Sequence, residues 1–192
     1  VKRVLAILLV VLTALSAAGC GAKSGTPQGV FEQYMKALQK GRLEDATALL
    51  TEDASTDIDL DMDPNLEGVV KTWLSKMEYK VTSVQEEGDV AEVRFTISAP
   101  DLKKVSEAAW QEMSEERQQA VVEVLPNVIN GDPSGAIEQK KQELLGKTYG
   151  KMQQKLADPK VPTVRTSGKA ELTKTESGWK ISALRWNRDL GL

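Results

Sequence analysis

The 192-residue chain contains no histidine and only one cysteine, Cys20. The first absence removes Ser-His-Asp and Cys-His catalysis and every zinc site that depends on imidazole. The second removes a disulfide framework, a CxxC redox pair and a thiolate cluster. Basic residues are not in excess: 25 Lys+Arg stand against 28 Asp+Glu, a net charge of −3. A protein that tracks nucleic-acid phosphates carries the opposite balance, so nucleic acid is excluded as a partner. There is no glycine-rich phosphate loop and no serine-nucleophile motif. The sequence therefore assigns no catalytic residue and no cofactor. It also lacks an apolar run of the ~20 residues that a membrane-spanning helix needs; the longest, Val4 to Leu15, has 12.

What is present begins with that run. Lys2 and Arg3 precede it, and Ser16-Ala17-Ala18-Gly19 follow it, the small residues a processing peptidase requires. Residues 1–19 read as a signal peptide with Gly19 flanking the cut. The lone cysteine stands immediately after. Leu15-Ser16-Ala17-Ala18-Gly19-Cys20 resembles the lipobox of bacterial lipoproteins, with Ala17 where that family prefers leucine. The resemblance implies a diacylglyceryl thioether on Cys20, a palmitate-type acyl anchor, and a place on the exported side of a cell membrane or outer membrane. Two acyl chains hold a protein firmly where one does not. Loss of Lys2 and Arg3 with the leader takes the net charge from −3 to −5, so the acyl chains, not charge, would do the holding. Residues 20–26 form a short tether of at most ~20 Å.

Thr26-Pro27 is a helix start, a hydroxyl cap followed by proline at the first position. Val30, Phe31, Tyr34, Met35 and Leu38 share one helical face and Gly41 ends it. Leu43, Ala46, Leu49 and Leu50 read as a second, shorter helix, and 64–76 as a third. The period then changes to two. Residues 79–85 and 90–98 alternate around Glu86-Glu87-Gly88-Asp89, and the pattern recurs around Thr175-Glu176-Ser177-Gly178. Two antiparallel hairpins contributing to one sheet covered by the N-terminal helices make an α+β domain over 27–192.

Between the hairpins lies a helical insert, 101–157. Its apolar residues Val121, Val124, Leu125, Val128, Leu144, Leu145 and Tyr149 are expected to pack against one another or over the mouth of the sheet. Pro126 is expected to shorten or kink its helix. The insert is also expected to be removable, leaving a foldable remnant.

The lipobox, the helix Val30-Phe31-Glu32-Gln33-Tyr34-Met35, the run Ala46-Thr47-Ala48-Leu49-Leu50 and the closing Glu176-Ser177-Gly178-Trp179-Lys180-Ile181-Ser182 together look like small bacterial lipoproteins of the nuclear-transport-factor-2-like superfamily. Many such domains are of unknown function. The resemblance implies a curved antiparallel sheet wrapped around the first helix, with an apolar pocket at the wide end. That fold hosts isomerases, dehydratases and plain binding scaffolds, so it does not select among them.

Asp57, Asp59, Asp61 and Asp63 form the most conspicuous acidic cluster. Alternate carboxylates offer hard oxygen ligands to calcium, but the EF-hand template fails: counted from Asp57, its glycine and glutamate positions hold Met62 and Gly68. An amphipathic strand with Ile58, Leu60 and Met62 inward accounts for the spacing without a metal. Trp73 and Trp179 lie on apolar stripes, whereas Trp110 and Trp186 are free to line a groove. Tyr34, the one candidate acid on the first helix, reads as a core aromatic with its hydroxyl at the rim. The expected role is a non-catalytic binding or scaffolding module of the cell envelope, anchored to the membrane and facing an envelope protein or a small apolar ligand. A small-molecule carrier using the pocket is the alternative, and an isomerase or dehydratase the more distant one.

Overall fold

The computed structural model describes residues 25–56, 64–131 and 133–186, with side chains throughout except at Pro64, Asn65 and Pro133. Cys20, Gly19 and Asp57 to Asp63 lie outside the described residues.

The first helix, α1 (Pro27–Gln39), starts where its cap dictates: the Thr26 hydroxyl accepts a hydrogen bond from the Gly29 amide at 3.1 Å. Its apolar face is entirely buried, with Phe31, Tyr34, Met35 and Leu38 fully enclosed. Phe31 stacks on Phe95 (ring centroids 4.6 Å apart) and meets Tyr79 edge-on. Gly41 ends the turn at φ +65°, a conformation that costs glycine nothing.

Helix α2 (Leu43–Thr47) is followed by strand β1 (Leu50–Thr56), where a continued helical stripe was expected. The Leu49 carbonyl accepts from the Ile181 amide at 2.9 Å, and the Lys180 ammonium bonds the Ala48 carbonyl. These long-range bonds draw Leu50 into the sheet; a five-residue helix is too short to resist them. Helix α3 (Pro64–Ser75) then leads to β2 (Glu78–Glu87) and β3 (Val90–Pro100). After the helical region come β4 (Thr163–Thr175) and β5 (Gly178–Trp186).

The two expected hairpins form, pairing β2 with β3 and β4 with β5, and β3 joins β4 antiparallel in a register running from Val90↔Thr173 to Pro100↔Thr163. The sheet order is β1-β5-β4-β3-β2, and β1 adds a parallel edge beside β5, so the sheet is mixed. Register shifts at Val81/Ser83 and Glu171/Leu172 bend the strands. Gly168 permits a close approach: a Cβ there would sit 2.6 Å from the Phe95 ring and 2.8 Å from the Arg185 carbonyl oxygen.

Alternation places Ala91, Val93, Phe95 and Ile97 of β3 inward beneath α1. Trp73 and Trp179 are core, as expected; Trp186 also joins the core cluster, and its remaining exposed edge lines a concavity of the sheet, as expected of it.

The insert consists of α4 (Leu102–Glu112), α5 (Ser114–Ile129) and α6 (Pro133–Ala157). Its base is not separable. Leu102, Val105, Ala109, Met152 and Leu156 belong to the same core as α1 and the sheet. Glu112 on α4 pairs with Lys155 and Lys151 on α6, and the Asp101 amide donates to the Pro162 carbonyl at 2.8 Å. Excision of 101–157 would open this core, contrary to expectation.

The far end differs too. Val121 is 64% exposed, Leu125 and Val128 are exposed, and Leu144, Leu145 and Tyr149 are only half-buried. Tyr149, nearer the base, still packs against the core, but nothing among the described residues covers Val121, Leu125 and Val128, because α6, at 25 residues, is ~37 Å long and outruns the surface it packs on. Pro126 neither ends nor breaks α5, which runs on to Ile129. Its ring deprives the Val122 carbonyl of its helical partner, at a residue that is 65% exposed and so within reach of solvent.

Candidate functional site

The space between α1 and the sheet is the place where the expected pocket would lie, and side chains fill it. Phe31, Tyr34, Met35, Leu38, Trp73 and Phe95 are all essentially inaccessible. The Tyr34 hydroxyl, expected at a rim, is enclosed and has no hydrogen-bond partner. Burial pushes its pKa well above the ordinary phenol value. Tyr79, half-buried nearby, reaches the Glu32 backbone carbonyl at 3.4 Å, not Tyr34. Among the described residues no carboxylate or ammonium bonds the Tyr34 phenol, and burial is what raises its pKa.

Two of the concavities among the described residues lie elsewhere. One, of about 730 Å³, lies on the sheet face turned away from the helices, where Arg94, Lys169 and Arg185 sit side by side across β3, β4 and β5. Their charge is largely answered in place. Arg94 bonds Glu92 at 2.7 Å, and Lys169 bonds Glu171 at 2.6 Å with Glu92 3.8 Å away. The Lys169 hydrogen bond also lowers the Glu171 carboxyl pKa. This is a cross-strand charge lattice on a solvated face.

The other concavity, of about 560 Å³, lies between α5 and α6. Val121, Val124, Leu125 and Val128 form one wall, Ile137 and Leu144 the other. Arg117, Lys140 and Lys141 edge it. Lys140 is held by Glu123 at 2.5 Å across the hairpin and by Glu143 at 2.8 Å. Glu143 also bonds Lys147, and the two ammonium groups pull its carboxyl down to about 2. At the proximal end the Arg117 guanidinium lies 4.1 Å over the Trp110 ring, which is 47% exposed. Trp110 is thus free, as expected, though it stands beside the groove and not among the residues that line it. Of the groove residues the sequence singles out Val121, Val124, Leu125, Val128 and Leu144, with the spacing of a buried face, and not Arg117, Ala120, Ile137, Lys140 or Lys141; the missing signal was the length of α6.

Among the described residues no group of three or more acidic or cysteine side chains is placed to hold a metal, and no helix is long and apolar enough to cross a membrane.

No protein-family model matches the chain, and no curated protein matches it. Similarity appears among solved structures. A proposed ketosteroid isomerase from Shewanella frigidimarina is 13% identical, with 87% of this chain and 98% of that one covered and a TM-score of 0.44. A nuclear-transport-factor-2-like protein of unknown function from Pseudomonas putida is 8% identical, with coverage of 83% and 82% and a TM-score of 0.41. A ketosteroid isomerase-like protein from Erwinia carotovora is 11% identical over 83% and 90%, with a TM-score of 0.37. The likeness concerns helices packed on a bent sheet, and no activity passes with it.

Proposed function

We infer that the chain is an exported lipoprotein, anchored through Cys20, whose domain is a non-catalytic binding module with the α5–α6 hairpin as its working surface. The observation that carries this reading is where the apolar exposure sits. Of the nine large apolar side chains left exposed among the described residues, six lie on this hairpin: Val121, Val122, Leu125, Val128, Ile129 and Ile137. Concentrated apolar exposure on a water-soluble domain marks a contact surface. The filled interior favours a module over an isomerase, since among the described residues no ionisable group bonds the Tyr34 hydroxyl, and it removes the room that a carrier working through the cone would need. The anchor is supported by Lys2 and Arg3, the apolar run and Ala18-Gly19-Cys20.

The test is the N-terminal peptide of protein taken from membranes. Mass spectrometry is expected to find residue 20 at the N-terminus carrying a diacylglyceryl group, and Cys20→Ser is expected to abolish both processing and fatty-acid incorporation. An unmodified cysteine in the membrane-bound protein would overturn the anchor.

A further inference from the structure

Two apolar side chains of the hairpin do not belong to its groove. Val122 and Ile129, seven residues apart on α5, are 65% and 76% exposed, yet neither lines the space between α5 and α6. At 100° per residue they stand about a quarter-turn from the groove wall of Val121, Val124, Leu125 and Val128. A peptide or small ligand seated in the groove would leave them wet. The occupant that the arrangement requires is a medium that surrounds the end of the hairpin.

Charge follows the same geography. From Gln118 to Ile137, twenty residues, the only ionisable side chains are Glu123 and Asp132. Glu123 is bonded by Lys140, so its charge is matched where it lies. Proximal to this stretch the charges resume at Arg117 on one helix and Glu138, Lys140 and Lys141 on the other. Trp110 and Arg117, stacked together, stand at that boundary. A tryptophan beside a cation is suited to the headgroup layer, where one side of the ring is apolar and the other wet. From Val121 to Ile129 the apolar part of α5 is ~12 Å long, and a helix lying in the interface sinks its apolar face ~5–10 Å into a bilayer.

We propose that the free end of the α5–α6 hairpin enters the lipid bilayer surface, with Val122, Leu125 and Ile129 in the acyl boundary and Trp110 and Arg117 at the headgroups. The inference rests on the anchor at Cys20, whose tether to Thr26 spans at most ~20 Å and keeps the domain beside the membrane. Entry is driven by apolar burial. Arg117, Lys140, Lys141 and Lys147 are offset by Glu115, Glu116, Glu123, Glu138 and Glu143 on the same helices, and Lys151 and Lys155 by Glu112 of α4, so anionic lipid gives no advantage over neutral lipid.

The experiment uses the full processed protein reconstituted in phosphatidylcholine vesicles, with an environment-sensitive fluorophore on Ile129→Cys and, separately, on Ser177→Cys in the β4–β5 turn. The thiol count of the unsubstituted protein comes first: none is expected, and one reactive thiol overturns the anchor alone. The label at position 129 is then expected to shift to the blue and to be quenched severalfold by spin-labelled acyl chains, equally with and without phosphatidylglycerol. The label at 177 is expected to remain water-like. Adding Val122→Ser to the 129-labelled protein, at an exposed position that does not support the fold, should cut the quenched fraction severalfold with an unchanged circular-dichroism spectrum. A water-like, unquenched label at 129 in protein whose Cys20 is acylated overturns bilayer entry, as does quenching that Val122→Ser leaves intact.

Discussion

Leu156→Ala and Leu144→Ala make the same chemical change at the two ends of α6 and separate its packed base from its open end. Leu156 is fully inaccessible and belongs to the core shared with Trp73 and α1. Truncating a buried leucine removes its transfer energy and leaves a cavity, together about 2–5 kcal/mol. Leu144 is half-buried and one side of it faces the groove, so no enclosed cavity forms and only part of the transfer term is lost, about 1 kcal/mol. Against a total stability of about 5–15 kcal/mol the difference is easily read. Urea unfolding of the Cys20→Ser chain starting at residue 20, followed by tryptophan fluorescence, has a slope of roughly 1–3 kcal/mol per molar. At a slope of about 2 kcal/mol per molar, Leu156→Ala should lower the midpoint by about 1–2.5 M and Leu144→Ala by about 0.5 M, with unchanged slopes. Equal shifts would mean that the distal hairpin is packed after all, and the account of the groove would fail.

Tyr34→Phe removes a buried hydroxyl that has no partner; it should leave stability unchanged or raise it by up to about 1 kcal/mol, and a loss above 1 kcal/mol in the same urea assay would reveal an unseen partner. Trp73→Phe deletes the 2.8 Å bond from the indole N–H to the buried Pro100 carbonyl and should cost about 1–3 kcal/mol beyond the change in volume, read against Trp179→Phe, whose indole packs without such a bond in this structure. Gly168→Ala places a methyl 2.6 Å from the Phe95 ring with the Arg185 carbonyl on its other side; a melting-temperature drop equivalent to about 1–3 kcal/mol is expected. Glu143 titrates at about 2, against about 4.3 in an unfolded chain. A depressed carboxyl stabilises above the unfolded value, and that contribution fades as pH falls from about 4.3 to about 2. Because the group is solvent-exposed, Glu143→Gln should leave the midpoint at pH 7 nearly unchanged, and carbon-detected NMR titration should find the low midpoint.

How far the sequence disclosed this protein depended on whether a local signal competed with a distant one. Thr26-Pro27, the α1 stripe and the two hairpins were legible because cap chemistry, period and turn residues all act within a few positions. β1 was not legible. Leu43, Ala46, Leu49 and Leu50 do fall on one helical face, and what overrules them is the ladder to Ile181, about 130 residues further along the chain. Trp186 does line a concavity, but its burial was not legible for a similar reason: that depends on pairing with Gly168, where the missing side chain makes room against Phe95. Composition cannot announce such a vacancy.

The hairpin poses a different problem, since there the pattern was read correctly and its meaning was not. Val121, Val124, Leu125, Val128 and Leu144 have the spacing of a core face, and spacing carries no information about whether a core is within reach. Reach is a matter of length. α6 meets α3 and α4 through Met152 and Leu156 near its C-terminal end, and Ile137, fifteen residues before Met152, lies ~22 Å up the helix from it. A domain of this size has no surface at that distance to offer, so the same apolar stripe that is core at one end is exposed at the other. Burial through oligomerisation would satisfy Leu125 and Val128 as well as a bilayer does, but it would have to wrap α5 far enough to cover Val122 and Ile129 a quarter-turn away. A single facing helix cannot do that. The choice between a protein and a membrane as the hairpin's partner therefore turns on those two side chains, and it is there that substitution is most informative.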